Sequence, residues 1–103
     1  MENNVVSYPF HVDPEMIRLR SELDRRGIEW FDRSSTDKYW ICRTLFYHNH
    51  YSWSVIHGYG TYGGISIFSG IDHGLLELYT DEISPEPIGS LTAKDIFEYL
   101  DGK

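Results

Sequence analysis

The stretch Tyr39-Trp-Ile-Cys-Arg-Thr-Leu-Phe-Tyr47, the residues His48-Asn-His50, and Tyr51-Ser-Trp-Ser-Val-Ile-His-Gly58 decide the fold. β-Branched and aromatic residues fill both arms, and these types pack well on a pleated surface. The first arm reads as a strand from Lys38 to Tyr47, residues 47–50 as a turn, and Tyr51–Gly58 as the returning strand of a hairpin. A period of two divides the side chains. Trp40 and Phe46 share one face and Tyr39 and Tyr47 the other; Trp53, Val55 and His57 share a face on the return. Only one face of such a hairpin needs to meet helices; a bare second face would suit a partner, whereas helices on both faces would make the aromatics core.

Upstream, residues 28–32 read as a short strand and 33–37 as a polar turn. Before them lies a helix with both ends marked. Asp13 suits the N-cap, Pro14 the first helical position and Glu15 the positive end of the dipole. Met16, Leu19 and Leu23 recur at helical spacing. Gly27 fits the left-handed position after the last turn, with Leu23 and Ile28 placed to touch across it. Residues 1–12 read as an extended arm or edge strand, limited by Pro9.

Downstream comes a glycine-rich turn, Gly58-Tyr-Gly-Thr-Tyr-Gly-Gly64. Residues 65–69 read as a short strand or part of a long loop, 70–74 as a turn, and Leu75–Tyr79 as the last strand. Pro85 and Pro87 mark residues 80–87 as unable to extend it. A final helix opens at Thr92, with Asp95 answering as a capping box and Leu91 stapling onto Ile96. Ile96 and Leu100 face the core, Phe97 partly so, and Gly102 ends the helix. The expectation is an α+β domain spanning 1–103, an antiparallel sheet of about four strands with an N-terminal and a C-terminal helix.

The chain has 103 residues, 41% of them apolar and 16% aromatic. Cys42 is the only cysteine, so no internal disulfide forms and an oxidising compartment is not implied. The start lacks a signal-peptide pattern, and no apolar run reaches the roughly 18 residues of a membrane span. A soluble, cytoplasmic protein is expected. The net charge is −7 and unevenly placed. Residues 1–43 carry seven bases and eight acids; residues 44–103 carry two bases, Lys94 and Lys103, and eight acids. That field repels nucleic-acid phosphates and attracts basic surfaces.

Chemistry-bearing motifs are few. Gly58-Tyr-Gly-Thr-Tyr-Gly63 spells G-x-G-x-x-G, but a dinucleotide site needs a helix to follow, and Ile65-Ser-Ile-Phe68 is β-like. The loop amides remain candidates for an anion-binding concavity. His48, His50 and His57 lack a metal-site spacing and read as surface residues, with no metal and no cofactor expected. Cys42 sits mid-strand as a small core residue. Asp72 and His73 are adjacent, a poor arrangement for a base and its orienter. No catalytic constellation emerges, and a non-enzymatic protein is expected.

Leu19-Arg-Ser-Glu-Leu23 running to Arg26-Gly-Ile-Glu-Trp30, then Trp53-Ser-Val-Ile56 with the glycine-rich turn, Gly74-Leu-Leu-Glu-Leu78 and Gly89-Ser-Leu-Thr-Ala-Lys-Asp95 together resemble small, uncharacterised proteins of gut-bacterial phages and mobile elements. The resemblance implies a phage accessory protein, a type that includes anti-CRISPR inhibitors. Such a protein acts by contact with a basic surface on a host defence protein, such as an RNA-guided CRISPR nuclease. The expected contacts are Tyr59, Thr61 and Tyr62 of the loop and the acids Asp72, Asp81, Glu82 and Glu86. The alternative is a nucleotide-signal or other small-ligand protein using the 58–64 loop.

Overall fold

A computed structural model describes residues 11–102, so the expected arm at 1–12 lies outside the described residues except for His11 and Val12. Helix α1 spans Pro14–Arg25. Asp13 caps it with backbone in the extended region, its carboxylate accepting the Glu15 amide at 2.8 Å. At the other end the Ile28 amide reaches the Leu23 carbonyl and the Gly27 amide that of Asp24, with Gly27 at φ +72°. This is the double closure that a left-handed glycine permits after a helix.

Five strands follow: β1 (Trp30–Asp32), β2 (Ile41–His48), β3 (Tyr51–Gly58), β4 (Leu76–Thr80) and β5 (Ser84–Leu91), and then helix α2 (Ala93–Leu100). They form one antiparallel meander in the order β1-β2-β3-β4-β5. The β2–β3 register pairs Cys42 with His57, Thr44 with Val55 and Phe46 with Trp53. The hairpin turns on Asn49 and His50, both at positive φ, the backbone that matches the twist of the flanking strands.

The sheet has one strand more than the patterning suggests. Pro85 and Pro87 lie inside β5, where the sequence excludes a strand. Among the described residues β5 is outermost and pairs with β4 alone, so a missing N–H there can face away from the ladder. Its pairing is irregular, with register shifts between Leu76 and Leu78 and between Leu78 and Thr80. Residues 65–69 belong to the long β3–β4 loop and touch the remaining structure through isolated bridges at Ile65.

Both helices pack on the same face of the sheet. Met16, Leu19 and Leu23 of α1 and Ile96, Phe97 and Leu100 of α2 meet Cys42, Phe46, Trp53, Val55, Leu76 and Leu78 in one core. Burying each large aliphatic side chain there contributes about 1.5–3 kcal/mol. Phe46 and Trp53 stack at 5.8 Å. Thr92 and Asp95 form the capping box of α2. The amide of Ala93 donates to Glu15, and Arg26 reaches Asp101, so the helix ends are tied to each other.

The opposite face carries no helix among the described residues. One register row across it runs Phe31–Leu45–Ser54–Tyr79, and Tyr47 and Tyr79 on it are exposed. Of the two arrangements the parity allows, the described residues show the one with both helices on a single face.

Candidate functional site

Strand parity turns His57 into the core side of β3, where 1% of it remains exposed. This corrects its reading as a surface histidine. Asp13, at the N-cap of α1, brings Oδ2 to 3.7 Å from His57 Nε2. Asp72 comes from the far end of the β3–β4 loop and brings Oδ1 to 2.9 Å from the same nitrogen. Oδ1 of Asp72 also accepts the Gly74 amide at 2.8 Å. Burial pushes the Asp72 carboxyl upward, but the hydrogen bonds from His57 and Gly74 outweigh it and hold the group below its ordinary value. His57 Nδ1 is buried without a hydrogen-bond partner among the described residues, so in the neutral ring the hydrogen belongs on Nε2, donated to Asp72. One imidazole nitrogen and two carboxylate oxygens thus lie within 4.8 Å of one another, a donor set suited to a divalent cation.

Cys42 faces His57 across the ladder but turns its sulfur towards Arg20, 3.4 Å away. Burial pushes its thiol up despite that guanidinium, which leaves it a poor nucleophile. The sequence reading of Cys42 as a core residue holds.

The glycine-rich loop directs its amides inward. Tyr59 donates to the Trp40 carbonyl, Gly60 to Ile65 and Gly64 to Thr61. The Tyr62 amide is taken by the Glu77 carboxylate at 2.7 Å, the place an anionic ligand would occupy. Thr61 closes the turn by bonding the amide and carbonyl of Gly58. Tyr59 packs edge-on against Tyr39 and Trp40. Tyr62 remains exposed and lies over Gly89.

Beyond this loop stands a feature that the sequence reading passed over. Ser66 accepts the amides of Phe68 and Ser69 on its hydroxyl and that of Gly70 on its carbonyl, while its own amide donates to Ile71. This ties residues 66–71 into a tight turn that holds Ile67, Phe68 and Ile71 outward, with Phe68 101% exposed. The sequence signal was the apolar Ile67, Phe68 and Ile71 within and just after a segment that read only as a short strand or part of a long loop.

The expected contact residues do not form one patch. Tyr62 and Asp72 lie at the β3–β4 loop end with this turn. Asp81 and Glu82 lie at the other end, where β4 leaves the sheet beside the 48–51 turn. There Asp81 accepts from the Tyr79 hydroxyl, and Glu82 accepts from the Trp53 indole and Asn49. Glu86 is exposed on the edge strand β5. Asp72 pairs with His57 rather than with its neighbour His73.

No family model matches this chain, and neither a curated protein nor a solved structure does. The site therefore rests on its own geometry. Sequence spacing gave no sign of the Asp13–His57–Asp72 cluster, because its members come from a helix cap, a strand and a loop end. The one available hint was that His57 shares parity with Trp53 and Val55. No helix among the described residues is long and apolar enough to cross a membrane.

Proposed function

We propose that this chain is a non-enzymatic binding protein that uses the β3–β4 loop end to occupy a basic, apolar-floored site on a host protein, in the manner of a phage inhibitor of an RNA-guided nuclease. The observation that carries this reading is Phe68, wholly exposed on a hydrogen-bonded turn between Ile67 and Ile71. A large apolar side chain held rigid in water loses little conformational freedom on docking and gains the full transfer term, as an interface anchor does. Charge supports the basic partner. Between Thr44 and Ala93 the chain has no Lys or Arg, and it carries Asp72, Glu77, Asp81, Glu82 and Glu86. Association is then steered by the acidic half and held by the apolar turn.

The test is DNA cleavage by purified RNA-guided nucleases with the protein present in stoichiometric amount. Inhibition of one of them by the wild type, lost in Phe68→Ser, supports the proposal. Phe68→Ser removes no buried contact, so its fold is expected to match the wild type. Glu86→Lys with Asp81→Lys should slow association, most at low salt, and leave dissociation nearly unchanged. Failure to inhibit any nuclease, or inhibition that Phe68→Ser leaves intact, would count against it.

A further inference from the structure

We propose that Asp13, His57 and Asp72 form a binding site for one divalent transition-metal ion of the zinc or manganese class, which clamps the β3–β4 loop to the N-terminus of α1. Ligand atoms about 2.1 Å from a shared ion lie roughly 3.0 Å apart at octahedral and 3.4 Å apart at tetrahedral angles. His57 Nε2 stands 2.9 Å from Asp72 Oδ1 and 3.7 Å from Asp13 Oδ2, and all three atoms fall within 4.8 Å of one another. These separations bracket what an ion requires, so small side-chain adjustments suffice to admit one.

A second observation is independent of those distances. Asp13 is 7% exposed, and its Oδ1 is taken by the helix cap. Its Oδ2 accepts no hydrogen bond among the described residues and points at His57 Nε2. That oxygen is not wholly buried, since His57 Nδ1 is the one fully buried side-chain polar atom without a partner among the described residues, so water or a cation can reach it. Neither Asp13 nor Asp72 is ion-paired with a Lys or Arg among the described residues; His57 lies between them, and His73 adds a second chargeable imidazole beside Asp72. Two carboxylates on one imidazole therefore leave a local excess of negative charge that a divalent ion neutralises.

The three ligands are held by unrelated parts of the backbone: the cap of α1, the inward face of β3 and the Gly74 amide turn. Each is fixed before an ion arrives. Asp72 retains 44% of its side-chain exposure, which provides a way in and leaves coordination positions for water. The imidazole nitrogen favours zinc or manganese over the all-oxygen preference of calcium and magnesium. Loading Nε2 moves the ring hydrogen to Nδ1, which is buried and has no partner. That orphan donor weakens affinity by roughly 10- to 100-fold, and three protein ligands bind less tightly than four.

The experiment is calorimetric titration of chelator-stripped full chain with zinc chloride, manganese chloride and magnesium chloride, together with thermal denaturation. The expected result is one zinc or manganese ion per chain. Tm should rise by about 10 °C when the ion is at 100 times its dissociation constant, with no comparable response to magnesium. Asp13→Asn keeps a good N-cap and Asp72→Asn keeps an acceptor for Gly74, so both variants are expected to fold, and each should bind at least about tenfold more weakly. A His48→Gln/His50→Gln variant should bind as the wild type does. Absorption of the cobalt(II)-loaded wild type reads nitrogen ligation without any substitution. Absence of zinc and manganese binding at millimolar ion overturns the proposal. So does binding that survives both Asp→Asn changes and disappears with His48 and His50. Because the readouts are made on the free protein, they are separate from nuclease inhibition.

Discussion

Replacing Thr44 by Val isolates the polar contact that links α1 to the sheet. Thr44 is wholly buried on the core face of β2, accepts the Arg20 Nε hydrogen bond at 2.7 Å and donates to the Met16 sulfur. Arg20 lies with 12% of its side chain exposed, its guanidinium 4.6 Å above the Trp30 ring, 3.7 Å from Asp32 and within reach of the Arg43 carbonyl. Burial lowers its pKa even so. Val keeps the shape of Thr but removes the acceptor under a charged donor, at a cost of about 1–3 kcal/mol. The extra methyl returns up to roughly 0.8 kcal/mol. A net loss of about 2 kcal/mol corresponds to a fall in Tm on the order of 10 °C for a chain of this size. Arg20→Met removes the donor as well, so Thr44→Val/Arg20→Met should be destabilised by about 1–2 kcal/mol less than the two single changes added together. Urea unfolding followed by Trp fluorescence measures all four proteins. Additivity within about 0.5 kcal/mol would refute the reasoning, because it would mean that Arg20 and Thr44 stabilise independently.

Two further outcomes test other parts of the fold. Hydrogen bonds from Arg25 and then Arg26 hold Glu22 at about 2, so the stability that its ionised form contributes is complete above its unfolded value, about 4.3, and is lost as pH falls towards 2; Glu22→Gln should lower Tm slightly at pH 7, leave it nearly unchanged near pH 2, and so flatten the acid limb of a Tm-versus-pH curve. Gly58→Ala would place a Cβ 2.7 Å from the Ile41 Cα and closer still to the Trp40 carbonyl oxygen, both backbone, so it should destabilise by about 1–3 kcal/mol and speed hydrogen exchange at the Tyr59 amide, which depends on that carbonyl.

Which features were legible follows from how far each interaction reaches along the chain. The caps of α1 and α2 were readable because a side chain bonds an amide two or three residues away, and Asp13–Glu15 and Thr92–Asp95 do so. The 39–58 hairpin was readable because its parity and turn are local. β5 was not, because the objection to Pro85 and Pro87 holds for an inner strand and lapses at an edge. Thr61 read as a contact residue, but its hydroxyl closes the Gly58 turn, which only the loop's path reveals. Asp81 and Glu82 were expected to share a contact surface with Asp72, yet the meander carries them to the opposite end of the sheet, beside Asn49 and Trp53.

By itself, then, the order of residues determined two capped helices, an aromatic hairpin with one face for a core, and an acidic second half, since propensity, alternation and charge act over a few residues. Tertiary structure decided the rest. It placed both helices on one face, turned His57 inward, and drew Asp13 and Asp72 to it from separate elements. The reason is physical: which groups share a buried site depends on the register and order of five strands, and those are set by packing the whole core at once.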